Sequence, residues 1–152
     1  MADNKFHTGR ILDNIKKMKA DTPVKLANMT QRFFGESFTD QGWNGDGGLN
    51  KWKEVKRRQI GTPEYKYPKT KQLSRRTSPI LVRRGTLRRA VSNSIRLATF
   101  EKIRLVVPLE YAKYQNDGTS RMVKRKFMGD GVALRKKQKA LLINEIGKVW
   151  QG

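Results

Sequence analysis

Positive charge is gathered into two stretches of this chain, and that distribution limits the fold more than any other feature of the sequence. Residues 51–90 hold fourteen Lys or Arg against Glu54 and Glu64, and residues 121–139 hold eight against Asp130. The two stretches supply +12 and +7 of a formal net charge of +21 on 152 residues. Charges at this density belong at the surface, because burying an ion without a partner is strongly unfavourable. A field of this kind speeds encounter with polyanions and holds phosphate backbones in a salt-dependent way, whatever the base sequence. Two readings of the blocks stand open at this point: a solvated face that aids solubility, or a surface neutralised by another molecule.

The core must come from the remaining segments. Apolar residues make up only 36% of the chain, so the core is expected to be small, and the length fits one domain over residues 1–152. Ile11, Leu12, Ile15 and Met18 recur at helical spacing after a capping Thr8, which predicts a helix over about residues 9–20. Thr22 followed by Pro23 reads as a second helix start, with Val24, Ala27, Met29, Phe33, Phe34 and Phe38 as its apolar face. WNGDGG then closes the region with turn residues. Residues 51–78 have no sustained period and contain Pro63 and Pro68, so they read as a long basic loop whose start Trp52 ties to the core.

Ile80, Leu81 and Val82 form a short apolar segment. Gly85 allows a tight turn from it into a brief helix with Leu87 and Val91 facing inward. Alternation of Ile95 and Leu97, then of Ile103, Leu105 and Val107, predicts an antiparallel hairpin with one buried face. LEYAKYQNDGT reads as a helical turn closed by Asn116, Asp117 and Gly118, and residues 121–128 as a strand or an extended basic arm. Leu134, Leu141, Leu142, Ile146 and Val149 predict a C-terminal helix. Arg135, Lys136, Lys137 and Lys139 crowd its first turns against the helix dipole, a conflict that an outside anion, an acidic partner or acids elsewhere in the fold would offset. The expected fold is α+β: a small antiparallel sheet around residues 94–107, covered by the second and the C-terminal helices, with a long basic loop.

Most catalytic chemistry lacks its residues. The chain has no Cys, so neither a disulfide framework nor a thiolate metal site is available. His7 is the only imidazole, which rules out a multi-histidine metal cluster and leaves no second histidine for an H-E-x-x-H site. GDGG lacks the spacing and the Lys-Ser/Thr ending of a phosphate-binding loop. Asp40 with Asp46, and Glu110 with Asp117, lack the lysine and strand context of a nuclease, so a small metal-dependent nuclease is the weakest of the readings considered. No cofactor or metal is expected. MADNKFHTGR has no apolar centre like that of a secretory signal, and no run approaches the ~18 apolar residues of a membrane span, so a cytoplasmic chain starting near Met1 is expected.

Four segments follow one another in an order similar to that of a known family. They are Trp52 with Arg57 and Arg58 after it, ILVRRGTLRRAV at residues 80–91, YAKYQNDG at residues 111–118, and RKFMG at residues 125–129. With an early and a terminal helix around them, they resemble the virion-morphogenesis, or tail-completion, proteins of Mu-like and P2-like tailed phages. Two positions depart from the family pattern: a histidine often precedes the glutamine of the tyrosine segment, and a proline often stands where this chain has Lys126. The subfamily and the position in the virion therefore stay open.

The resemblance implies a non-enzymatic structural protein of the virion tail or neck, assembled in the host cytoplasm. It implies a homo-oligomeric ring, expected to be hexameric, that completes the tail and meets the tail tube and connector. Genomic DNA would pass through its lumen. On this reading Arg57, Arg58, Arg75, Arg76, Arg83, Arg84, Lys124, Arg125 and Lys126 are the candidate partner or lumen contacts. Trp52, Phe127 and Met128 are the candidate apolar anchors, filling this domain's core or a neighbour's pocket. The runner-up is a free nucleic-acid-binding protein that grips phosphates with the same blocks.

Overall fold

A computed structural model of the chain describes residues 8–67 and 77–150. One helix, α1 (Thr8–Asp40), replaces the two expected at the start. Pro23 lies inside it, and Thr22 and Pro23 are both buried, so this pair does not begin a helix. A proline within a helix removes one backbone donor and costs roughly 3 kcal/mol. Both halves of α1 pack along the C-terminal helix, Asn14 before the proline donating to the Val149 carbonyl and Thr30 after it accepting from Gln138, and this packing holds the helix continuous.

α1 stops at Gln41, whose φ of 52° lies in the left-handed region. There the Gln41 carbonyl accepts from the Trp52 backbone N–H at 2.8 Å. Its side-chain amide also bonds both backbone groups of Ile80. One residue thus ties the end of α1 to two later segments. The chain turns through NGDGGL between two short antiparallel strands, β1 (Gly42–Trp43) and β2 (Asn50–Lys51).

Part of the stretch expected as a long basic loop has local structure. A 3-10 turn covers Lys56–Arg58, and a one-turn helix, α2 (Pro63–Lys66), starts at Thr62, whose hydroxyl accepts from the Tyr65 N–H. Proline at the first helical position explains why it forms there. Pro68, Arg75 and Arg76 lie outside the described residues.

The short helix expected after Gly85 is present as α3 (Thr86–Ser92), with Leu87 and Val91 buried and Gly85 at φ 69°. The expected hairpin is present as β3 (Ile95–Ala98) and β4 (Ile103–Leu105). Its alternation does not bury a whole face: Leu97 is 40% and Ile103 36% exposed. A register irregularity between Ile95 and Leu97 interrupts the pleat, and two strands alone offer α1 only a narrow surface.

α4 (Glu110–Asp117) ends at Gly118 with φ 77°. Residues 121–128 form no strand. They run back along the domain and lead into α5 (Val132–Trp150), the expected C-terminal helix. α5 packs chiefly along α1, antiparallel to it, as shown by bonds from Asn14 to the Val149 carbonyl and from Gln138 to the Thr30 hydroxyl. Its expected apolar face is only partly covered. Leu134 and Val149 are buried, Leu141 is intermediate, and Leu142 and Ile146 are exposed.

The core gathers Phe33, Phe34 and Phe38 of α1 with Trp43, Trp52, Ile80, Leu87, Val91, Phe127 and Leu134. Phe38 sits at its centre, 5.8 Å from the Trp52 ring and 5.4 Å from the Phe127 ring. Close backbone approach seals the base of α5. A Cβ on Gly131 would lie 2.5 Å from the Gly45 carbonyl oxygen, and that same oxygen accepts from the Ala133 N–H at 3.0 Å.

Candidate anion-binding surface

The two cationic blocks, separated in sequence, are brought together by the core. Trp52 is only 7% exposed, and its indole N–H donates to the Lys126 carbonyl at 2.8 Å. Asn116, at the end of α4, accepts from the backbone N–H of both Phe127 and Met128 at 3.0 Å. The Gln115 carbonyl accepts from the Arg125 N–H at 2.8 Å. Phe127, 1% exposed, anchors the segment against Phe38. These attachments hold residues 124–128 beside the start of the first block.

Arginines from both blocks meet there. Arg125 Nη2 donates to the Lys53 carbonyl at 3.3 Å, and Arg58 Nη1 lies 3.3 Å from a carboxylate oxygen of Glu54. Arg57 Nη2 donates to the Ser78 carbonyl at 3.4 Å, which draws the second half of the first block to the same place. Burial lowers the Arg57 pKa, the neighbouring Arg58 and Arg125 lower it further, Glu54 partly offsets them, and Arg83 adds to the lowering. Burial also lowers that of Arg125, with Glu54 opposing. Guanidinium groups stay charged under such shifts. For both groups burial is the larger cause, and like charge from Arg58, Arg125 and Arg83 adds to it only at Arg57.

Of the nine expected contact residues, Arg57, Arg58 and Arg125 meet on this surface, and exposed Arg83 stands near enough to act on the charge of Arg57. Arg84 and Lys124 are exposed, and Arg75 and Arg76 fall outside the described residues. Lys126 is engaged within its own chain. Its ammonium stands 4.7 Å from the Trp43 ring centroid, 3.9 Å from an Asp46 oxygen, and donates to the Asp130 carbonyl at 3.1 Å. Trp52 and Phe127 pack in this domain's core, with Met128 half-buried against it.

The cations at the start of α5 also find acids inside the chain. Arg135 makes a two-pronged contact with Asp130, and Lys137 lies 3.4 Å from Glu36. An outside anion is not needed for those two. Among the described residues no group of three or more His, Cys, Asp or Glu side chains gathers as a metal site.

Gln41, Asn116 and Glu54 organise this surface, yet nothing in their sequence context marks them. Asn116 reads as a turn residue, and the work of Gln41 depends on a segment 39 positions away. Among the described residues no helix is long and apolar enough to cross a membrane. Compared with known proteins, the chain matches no family model, no curated protein and no solved structure.

Proposed function

We propose that this chain is a structural virion protein of a tailed phage, one that completes the tail by closing into a ring at the head–tail junction and carries out no reaction. The observation that carries the reading is the apolar surface a single copy leaves uncovered. On α5, Ile143, Ile146 and Trp150 are 60%, 50% and 65% exposed, and with Leu142 they share one face at helical spacing. Leu97, Phe100 and Ile103 add an exposed apolar hairpin. A closed ring would bury such surfaces between neighbours, and it fits a chain whose own core is modest. The cationic surface would then face DNA in the lumen, or acidic surfaces of the tail tube and connector.

Light scattering of the purified chain, followed by electron microscopy, tests the ring. The wild type is expected to form closed rings. Ile143→Asp combined with Ile146→Asp is expected to give folded monomers, because both side chains are exposed in one copy and their loss leaves its core intact. A wild-type chain that stays monomeric at high concentration sinks the proposal. The clustered arginines favour a second reading, a monomeric nucleic-acid-binding protein, which that same outcome would promote if binding were tight and weakened steeply with salt.

A further inference from the structure

We propose that Arg57, Arg58, Arg83 and Arg125 form a clamp for the phosphate backbone of nucleic acid. The inference rests on the reading that the basic surface is neutralised from outside, and it assigns the neutralising group. Stoichiometry is the first support. Residues 51–90 contain only two acids, and both already have cations beside them: Glu54 has Arg58, and Glu64 has Lys56 at 3.8 Å. Within this block the cations therefore outnumber the acids fourteen to two.

Preorganisation is the second support. Backbone carbonyls of Lys53 and Ser78 each hold one nitrogen of a guanidinium, so the forks of Arg125 and Arg57 are partly fixed before a ligand arrives. The Arg125 side chain is thereby held by its buried inner part, with one Nη on the Lys53 carbonyl. Planar guanidinium forks match the paired oxygens of a phosphate.

Continuity of charge favours nucleic acid over an acidic protein. Exposed Lys51, Lys53 and Lys124 belong to the same two segments, so the cations continue along the chain past the cluster. A protein partner would need an equally unbroken run of carboxylates, and the cores of protein interfaces are depleted in charge. Nucleic acid carries evenly repeated charge, and the surfaces that bind it are strongly cationic.

Fluorescence anisotropy of the full chain with a short labelled DNA duplex, across a salt series, tests the clamp. Removing one phosphate-binding cation should reduce the slope of log affinity against log salt by about 0.9. Arg58→Gln with Arg83→Gln and Arg125→Gln is expected to reduce the slope by about 2 to 3. The double variant Arg58→Gln with Arg83→Gln, both on exposed residues, should reduce it by about 2 even if Arg125 proves necessary for folding. Arg10→Gln with Lys16→Gln and Lys17→Gln removes as much charge from the exposed start of α1 and is expected to leave the slope unchanged.

Equal slopes for the triple variant and this control would overturn the clamp. So would polyglutamate binding as tightly as the duplex, which would assign the surface to an acidic protein. Light scattering on the same samples separates the two proposals. Rings that ignore the duplex remove the clamp and leave the assembly; monomers that bind it through these arginines keep the clamp and remove the ring.

Discussion

Replacing Phe127 by alanine asks whether the aromatic group inside the second basic block belongs to this domain or to a neighbour. Its ring is 1% exposed and lies 5.4 Å from the Phe38 ring, next to Trp52. The transfer contribution of a fully buried side chain of this size is about 1.5–3 kcal/mol. Truncation to alanine also leaves a void, and a residual cavity of roughly 50–80 Å³ at ~24 cal/mol per Å³ adds about 1–2 kcal/mol. The expected loss is therefore about 3–5 kcal/mol, within the usual range for a core phenylalanine. For a chain of this length each kcal/mol lowers Tm by roughly 2–4 °C, so the variant should melt about 6–20 °C below the wild type. Urea denaturation followed by tryptophan fluorescence reads the loss, with Trp43 and Trp52 as reporters in the same cluster. The protein should be held at a concentration where light scattering shows one oligomeric state. A loss below about 1 kcal/mol would refute the reasoning, because a ring that is truly enclosed cannot be removed that cheaply.

Two glycines should respond to alanine in opposite senses. Gly131→Ala drives a Cβ to 2.5 Å from the Gly45 backbone, which cannot swing aside, and should cost about 1–3 kcal/mol by chemical denaturation. Gly147→Ala meets nothing within 4 Å on α5 and should stabilise by about 0.5–1 kcal/mol through helix propensity and a less flexible unfolded chain. Glu145 accepts from Lys148 and then from Lys25, both at 2.6 Å, and these bonds hold its pKa below the ordinary value of 4.5. A depressed carboxylate pKa contributes stability that is fully present above the unfolded value and is lost as pH falls through the folded one. Glu145→Gln should therefore flatten the acid side of the stability–pH profile, measured by thermal melts from neutral pH down past that carboxylate range.

Elements governed by neighbouring residues were legible in the sequence. Gly85, Leu87 and Val91 mark α3 because a left-handed turn and a four-residue repeat are local facts, and the same holds for Gly118 after α4 and for the helical spacing of α5. Pro23 shows where local reading fails. Its signal for a helix start is sound in isolation, but the turns before it also meet the C-terminal helix, through Asn14 on the Val149 carbonyl, and a single helix runs through it. The hairpin fails in the other sense: the alternation of Ile95, Leu97, Ile103 and Leu105 predicts strands correctly, yet alternation says nothing of whether another layer covers the face it creates.

The arginine surface divides along the same line. That both blocks carry excess charge is a count, readable from composition alone. That they meet depends on bonds spanning long stretches of chain: Trp52 to Lys126, Gln41 to Ile80, Arg125 to Lys53. None of these has a periodic trace. Phe127 and Met128 do leave one, since two apolar residues inside a run of cations have to be buried somewhere. Once Phe127 is inserted beside Phe38, the backbone on either side of it is fixed, and Arg125 is carried to the cluster two residues away. The convergence of positive charge is thus set by a hydrophobic anchor, and burial of the Phe127 ring against Phe38 in the core offsets the repulsion it creates.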